Sequence, residues 1–307
     1  MDILHAIGNT SLVRLGKVVP PHCADILAKL EWENPTGSMK DRMAQSVIAR
    51  AEADGRLRPG DTVVEYTGGS TGASLAFVCA AKGYRSRIVT SDAFSRDKLN
   101  QMAALGADLT LVESEGGRTT RKLILDMIEA ARALSREPRT YWTDQLNNLD
   151  SVAGYHPLGE EIWSQTGGRV DAFVHSVGTA ASIRGTGTIL KRHQPGVRIV
   201  AVEPAESSVL RGGQPGPHKI EGVGIGYTPP LWDPSVVDEV LAIGTDEAKA
   251  MARRLAREEG VFAGTSSGAN VLAAIQVGQR LGPGATVVTL MVDSGLKYLG
   301  TDVFARG

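Results

Sequence analysis

The chain has 307 residues, 42% hydrophobic and 22% charged, proportions of an ordinary globular protein that argue against disorder, collagen or coiled coil. Its 33 basic residues balance 34 acidic ones, which removes the electrostatic reason to expect nucleic acid or an anionic membrane and favours a small diffusible substrate. Only Cys23 and Cys79 occur, without metal-ligand spacing, so neither a disulfide framework nor a metal site is expected. Residues 1–15 lack a signal-peptide core, and no stretch approaches the ~20 apolar residues of a membrane span. A cytoplasmic protein is expected.

After an N-terminal stretch containing Gly8-Asn9-Thr10, residues 25–30 read as a short strand leading into Asn34-Pro35-Thr36-Gly37-Ser38-Met39-Lys40-Asp41-Arg42. The proline and glycine form a turn before a helical pattern over 39–53. A lysine in that first turn meets the positive end of the helix dipole, which disfavours an ammonium. Lys40 is therefore a candidate for a depressed pKa and for amine chemistry. Strand-like runs follow at 62–65, 87–90, 108–112, 172–175, 198–203, 236–242 and 286–292. Helical patterns lie between them at 71–82, 95–105, 119–134, 180–193, 245–258 and 267–281. Such alternation predicts parallel sheets covered by helices. Polar residues at 144–151 separate two series of this kind, and the Gly- and Pro-rich stretch 211–228 reads as a loop.

Two strand-to-helix turns carry candidate chemistry. Thr67-Gly68-Gly69-Ser70-Thr71-Gly72 and Ser176-Val177-Gly178-Thr179-Ala180-Ala181-Ser182 each follow a strand and open a helix, where backbone N–H groups and hydroxyls can close on an anion. Either alone also reads as a tight connection. Together they suggest a ligand with a phosphate and a partner with a carboxylate. Ser294, in Asp293-Ser294-Gly295 after the last strand, can hydrogen-bond a ring nitrogen or cap a helix. Gly185-Thr186-Gly187 falls inside a helical run and lacks a third glycine, so it is no dinucleotide fingerprint. Gly264-Thr265-Ser266-Ser267-Gly268 matches a serine-hydrolase elbow, yet all six histidines (5, 22, 156, 175, 193 and 218) precede Ser266, whereas that fold needs its histidine afterwards.

Taken in order, Gly8-Asn9-Thr10, the Lys40 segment, Thr67 to Gly72, Asp144-Gln145-Leu146-Asn147-Asn148, Gly178-Thr179, Lys219-Ile220-Glu221-Gly222-Val223-Gly224, Gly264 to Gly268 and Asp293-Ser294-Gly295 resemble the cysteine synthase and cystathionine β-synthase family. These are pyridoxal 5'-phosphate enzymes of the tryptophan synthase β-like α/β fold (PLP fold type II), with two lobes, each a largely parallel sheet covered by helices. The resemblance implies a smaller mobile lobe at 35–145 and a larger lobe at 1–34 and 146–307. It implies that Lys40 holds the cofactor as a Schiff base and then removes the substrate's Cα proton. Gly178, Thr179, Ala180, Ala181 and Ser182 would bind the phosphate. Ser294 would face the pyridine nitrogen and leave it largely unprotonated, which favours β-elimination over transamination. Thr67, Gly68, Gly69, Ser70 and Thr71, with Gln145, would clamp the substrate carboxylate, Ser70 would stand toward the cofactor ring, and Gly222 would lie at the active-site mouth.

The implied reaction is β-replacement on an activated L-serine such as O-acetylserine, with sulfide or a thiol, giving cysteine or a related amino acid. β-Elimination, another nucleophile, and an inactive binding homologue are the alternatives. Several positions depart from the family pattern. Thr-Ser-Gly-Asn-Thr-Gly reads Thr67-Gly68-Gly69-Ser70-Thr71-Gly72, which removes the asparagine amide, and Gly-Thr-Gly-Gly-Thr reads Gly178-Thr179-Ala180-Ala181-Ser182, adding two methyl groups. The stretch Gly154 to Glu160 lacks the usual paired threonines. A homodimer is implied as well; an acetyltransferase tail as partner is not legible.

Overall fold

The computed structural model describes residues 2–117 and 120–305. Among these, ten strands run in chain order: β1 (Leu12–Arg14), β2 (Asp25–Leu30), β3 (Thr62–Tyr66), β4 (Arg85–Ser91), β5 (Asp108–Val112), β6 (Thr140–Trp142), β7 (Ala172–Ser176), β8 (Arg198–Pro204), β9 (Glu239–Ile243) and β10 (Thr286–Met291). The α-helices among the described residues are α1 (Lys40–Ala53), α2 (Ser70–Lys82), α3 (Arg96–Ala104), α4 (Arg121–Ser135), α5 (Leu149–Ala153), α6 (His156–Gln165), α7 (Ala181–His193), α8 (Thr245–Arg254) and α9 (Thr265–Leu281).

The chain divides into two compact units, residues 1–7 with 40–154 and residues 8–39 with 155–307. The first contains a four-stranded sheet of order β5-β4-β3-β6, parallel throughout. The second contains a six-stranded sheet of order β1-β2-β10-β7-β8-β9, parallel except where the edge strand β1 runs antiparallel to β2. Central strands β3 and β7 are buried along their whole length, as expected of parallel strands covered on both faces. The core of the second unit gathers Ile26, Ala28, Val174, Val200, Val287 and Met291 from the sheet with Val271, Ala274 and Val277 from α9. The core of the first includes Val64 and Val89 under Leu123, Met127 and Ala131 of α4.

Several elements depart from the sequence reading. Residue 119, the expected start of a helix, lies outside the described residues; α4 begins at Arg121, with Thr120 Oγ1 accepting from Leu123 N–H at 3.1 Å. The helix expected over 245–258 ends as α-helix at Arg254 and continues through a π turn, Leu255–Glu259, stopped by Gly260 at φ 71°. The polar stretch at 144–151 runs into α5, which lies in the first unit, where Ser46 Oγ donates to Asp150 O at 2.8 Å. The second segment of that unit ends at Gly154. No helix among the described residues is long and apolar enough to cross a membrane.

Candidate active site

In the second unit, strands β7, β10 and β2 are adjacent and parallel, so their carboxyl ends share one sheet edge, the usual place for ligands in such folds. Each of these strands leads into a predicted site segment. After β7 come Gly178 to Ser182, after β10 comes Ser294, and after β2 comes the stretch ending at Met39, immediately before Lys40.

That last stretch is anchored at both ends. Gly8 N–H donates to Asn34 Oδ1 at 2.8 Å, and Asn34 Nδ2 donates to Glu31 O at 2.8 Å, while Thr10 Oγ1 donates to Glu31 Oε1 at 2.7 Å. The Gly8-Asn9-Thr10 motif thus fixes the first residue of the lysine segment. Farther on, Met39 N–H donates to Val292 O at 3.0 Å and Ser294 N–H to Gly37 O at 3.0 Å, and Ser38 bridges Asp293. Ser294 is held from its other side by a bridge to Ala263. Its Oγ accepts from Leu296 N–H at 3.2 Å, so it does cap a short turn, and its own hydrogen remains able to donate to a third group. Beneath it, Tyr298 Oη donates to Asp293 Oδ2 at 2.8 Å, and burial pushes the Tyr298 phenol well above its usual pKa.

The predicted phosphate cup occupies the turn from β7 into α7. Backbone approaches backbone here: a Cβ on Gly178 would stand 2.4 Å from Gly222 O. Gly222, at φ 81°, has no atom within 4 Å of where its own Cβ would be, so it faces open space. Ala180 is the N-cap of α7 at φ 68°, a left-handed conformation costly for any residue with a Cβ. The first added methyl of the cup therefore sits at a strained position. The donors are hydroxyls and N–H groups at the start of a 13-residue helix, where the dipole favours an anion. Such a set fits a phosphate, and Ser182 Oγ also lies 2.8 Å from His175 Nε2.

The first unit places Lys40 as the first residue of α1 and assembles the other predicted turn. Strands β3 and β6 are parallel neighbours; Thr67 to Thr71 follow β3 and Gln145 follows β6. Gln145 Nε2 donates to Tyr66 O at 2.9 Å and Thr71 Oγ1 donates to Gln145 Oε1 at 2.8 Å. One Nε2 hydrogen of Gln145 is then left for a ligand, whereas the Thr71 hydroxyl is engaged by the amide. Gly69 is the N-cap of α2, and its N–H donates to Thr67 Oγ1 at 3.1 Å. Gly68 has a cause within this chain: a Cβ there would stand 2.4 Å from the Phe94 ring.

Sequence reasoning assigned no role to Glu65, at the end of β3. Its Oε2 accepts from Thr143 Oγ1 at 2.6 Å and from Gln145 N–H at 2.9 Å, and its Oε1 accepts from Tyr66 N–H at 2.9 Å. Burial pushes this carboxyl up to about 7, against those donors, which favour its ionised form. Glu65 thereby ties the backbone of Gln145 to the root of the Thr67 turn. The available signal was a lone acid inside an apolar strand, without its distant partners.

With this geometry in place, comparison with known proteins defines the class. Residues 3–293 match the model of the pyridoxal-phosphate dependent enzyme family. The chain belongs to that family, and it is a pyridoxal-phosphate-dependent enzyme of fold type II. Over 307 residues it is 41% identical to the cysteine synthase of Staphylococcus aureus, covering 99% of this chain and 97% of that one. Among solved structures it is similar to the cysteine synthase of Entamoeba histolytica, with a TM-score of 0.92, 35% identity, and 100% of this chain and 92% of the other covered. It is also similar to an O-ureido-L-serine synthase, with a TM-score of 0.91, 36% identity, and 100% and 96% covered.

Proposed function

We propose that this enzyme replaces the acetoxy group of O-acetyl-L-serine with sulfide, releasing acetate and forming L-cysteine. The observation that carries the reading is the convergence of three segments on one sheet edge: the Gly178–Ser182 cup, Ser294, and the anchored stretch that delivers Lys40. Pyridoxal phosphate, when bound, would supply the electron sink that takes up the pair left by the Cα proton and would return it as the Cβ leaving group departs with its own pair.

The chain's residues have distinct tasks in this reading. Lys40 would hold the cofactor through its amine and, when that amine is free, would accept the substrate's Cα proton at Nζ. Gly178, Thr179, Ala180, Ala181 and Ser182 hold the phosphate at the N-terminus of α7. Ser294 Oγ would donate to the pyridine nitrogen without giving up its proton, which favours chemistry at Cβ over transamination. Gln145 Nε2 and the turn Thr67 to Thr71, including Gly68, Gly69 and Ser70, take the substrate carboxylate. Gly222, without a side chain, keeps the space beside the cup clear. The homodimer implied by the family resemblance is part of the same proposal.

Replacement by a different nucleophile is the second reading, supported by the similarity to an O-ureido-L-serine synthase. Purified holoprotein supplied with O-acetylserine and sulfide is expected to yield cysteine and acetate in equal amounts. Pyruvate and ammonia formed at the same rate without sulfide would instead establish elimination. No turnover of any activated serine would remove the β-replacement reading.

A further inference from the structure

Beneath the predicted phosphate cup lies a buried histidine that the proposed reaction does not use. His175, on β7, is 2% exposed, and its Nε2 lies 2.8 Å from Ser182 Oγ. Its Nδ1 lies 3.4 Å from Nδ2 of Asn270, a fully buried residue of α9.

The orientation of Asn270 follows from backbone groups. Ser176 N–H can only donate, and it meets Asn270 Oδ1 at 2.7 Å; Leu290 O can only accept, and it meets Asn270 Nδ2 at 2.8 Å. The atom facing His175 Nδ1 is therefore an amide nitrogen bearing hydrogen. Nδ1 must accept, which places the proton of the neutral ring on Nε2. Nε2–H then donates to Ser182 Oγ. Because that lone pair of Ser182 is occupied by a donor, its own hydroxyl hydrogen must turn to another acceptor.

We infer that His175 is a positioning residue for cofactor binding, a neutral imidazole set by Asn270 that makes the Ser182 hydroxyl a committed donor to the cofactor phosphate. The chain runs from backbone to phosphate through defined donors: Asn270 Nδ2–H to His175 Nδ1, His175 Nε2–H to Ser182 Oγ, and Ser182 Oγ–H to the anion. An aliphatic residue at 175 would leave Ser182 Oγ without that donor, so nothing would direct its hydroxyl hydrogen away from the strand and toward the anion. The inference rests on the cup being the phosphate site of the proposed function.

Two measurements test it. In the wild-type holoprotein labelled with 15N-histidine, long-range 1H–15N correlation is expected to show His175 as the neutral Nε2–H tautomer; an Nδ1–H tautomer or an imidazolium would overturn the inference, with no variant needed. Cofactor retention by holoprotein dialysed against graded pyridoxal phosphate supplies the second. Ser182→Ala is expected to weaken retention about tenfold, His175→Leu about fivefold, and the double variant no more than Ser182→Ala alone, since both changes remove one hydrogen bond to a charged group. The 31P resonance of the bound phosphate should shift in both single variants. His175→Gln, which offers an amide N–H near the Nε2 position, should restore retention to within about twofold of wild type. Unchanged retention in His175→Leu, or losses that multiply in the double variant, would overturn the inference while leaving the function intact. A wild-type protein that holds no pyridoxal phosphate would overturn both.

Discussion

The two strand-to-helix turns, Thr67 to Thr71 in one unit and Gly178 to Ser182 in the other, share a plan and differ in what lies beneath them. Under the first is an ionisable carboxyl, Glu65, buried and pushed up to about 7. Under the second is an imidazole whose ring hydrogen is directed by an amide and, through it, by two backbone groups. The first support is a carboxyl that burial brings up to about 7, while the second is a ring whose hydrogen the proposed tautomer aims at Ser182. The difference suits the proposed tasks. A substrate carboxylate must be taken and released each cycle, whereas a cofactor phosphate must be held through all of them.

The largest effect expected from this contrast concerns Glu65. Its ordinary pKa is 4.5 and its native one about 7. Between those values the native carboxyl keeps a proton that the unfolded chain has released. The stability contributed by this group is therefore fully present below about pH 4.5, falls by about 3 kcal/mol as pH rises to about 7, and is flat beyond. Glu65→Gln should remove that slope from denaturation midpoints measured between pH 4.5 and 8. An identical slope in the variant would mean that Glu65 stays ionised throughout, and the contrast between the two supports would fail.

A second expectation separates the turns by ligand. Gln145→Ala should raise KM for the amino-acid substrate about 10- to 100-fold, the loss of a hydrogen bond to a charged group, while leaving the visible absorbance of the bound cofactor unchanged. Loss of cofactor from this variant would place Gln145 with the other turn. The smallest effect belongs to the cup's backbone. Ala180, at φ 68°, should be relieved by Ala180→Gly, stabilising the protein by about 1 kcal/mol and raising Tm by about 2 °C. A lower Tm would mean that the methyl packs well enough to offset its strain.

Much of the scaffold was legible because parallel α/β chains write it in composition. β2 and β5 lie where apolar, β-branched runs placed them, and α2, α7 and α9 begin within two residues of their expected starts. Three-residue strands were not legible. β1 and β6 owe their pairing to β2 and β3 instead of to any period of their own. Likewise α6, with Pro157 and Gly159 in its first turns, carries weak helical propensity and is held by packing. At the site, the Lys40 segment and both turns were visible as motifs, since glycines and hydroxyls cluster in sequence. Their supports were not. Thr143 and Gln145 lie 78 and 80 residues from Glu65, and Asn270 lies 95 residues from His175, so only the folded sheets bring them together. His175 carries no role of its own in the sequence; with Asn270 and Ser182 around it, its tautomer becomes a property of the site.

The decisive experiment is to find which lysine carries the cofactor. Holoprotein treated with borohydride, which fixes pyridoxal phosphate covalently to the lysine that holds it, can be digested and its peptides weighed. The added mass is expected on the peptide containing Lys40 and is expected to be absent in Lys40→Ala. Label on another lysine, or none after reconstitution, would contradict the role given to Lys40 and with it the proposed reaction.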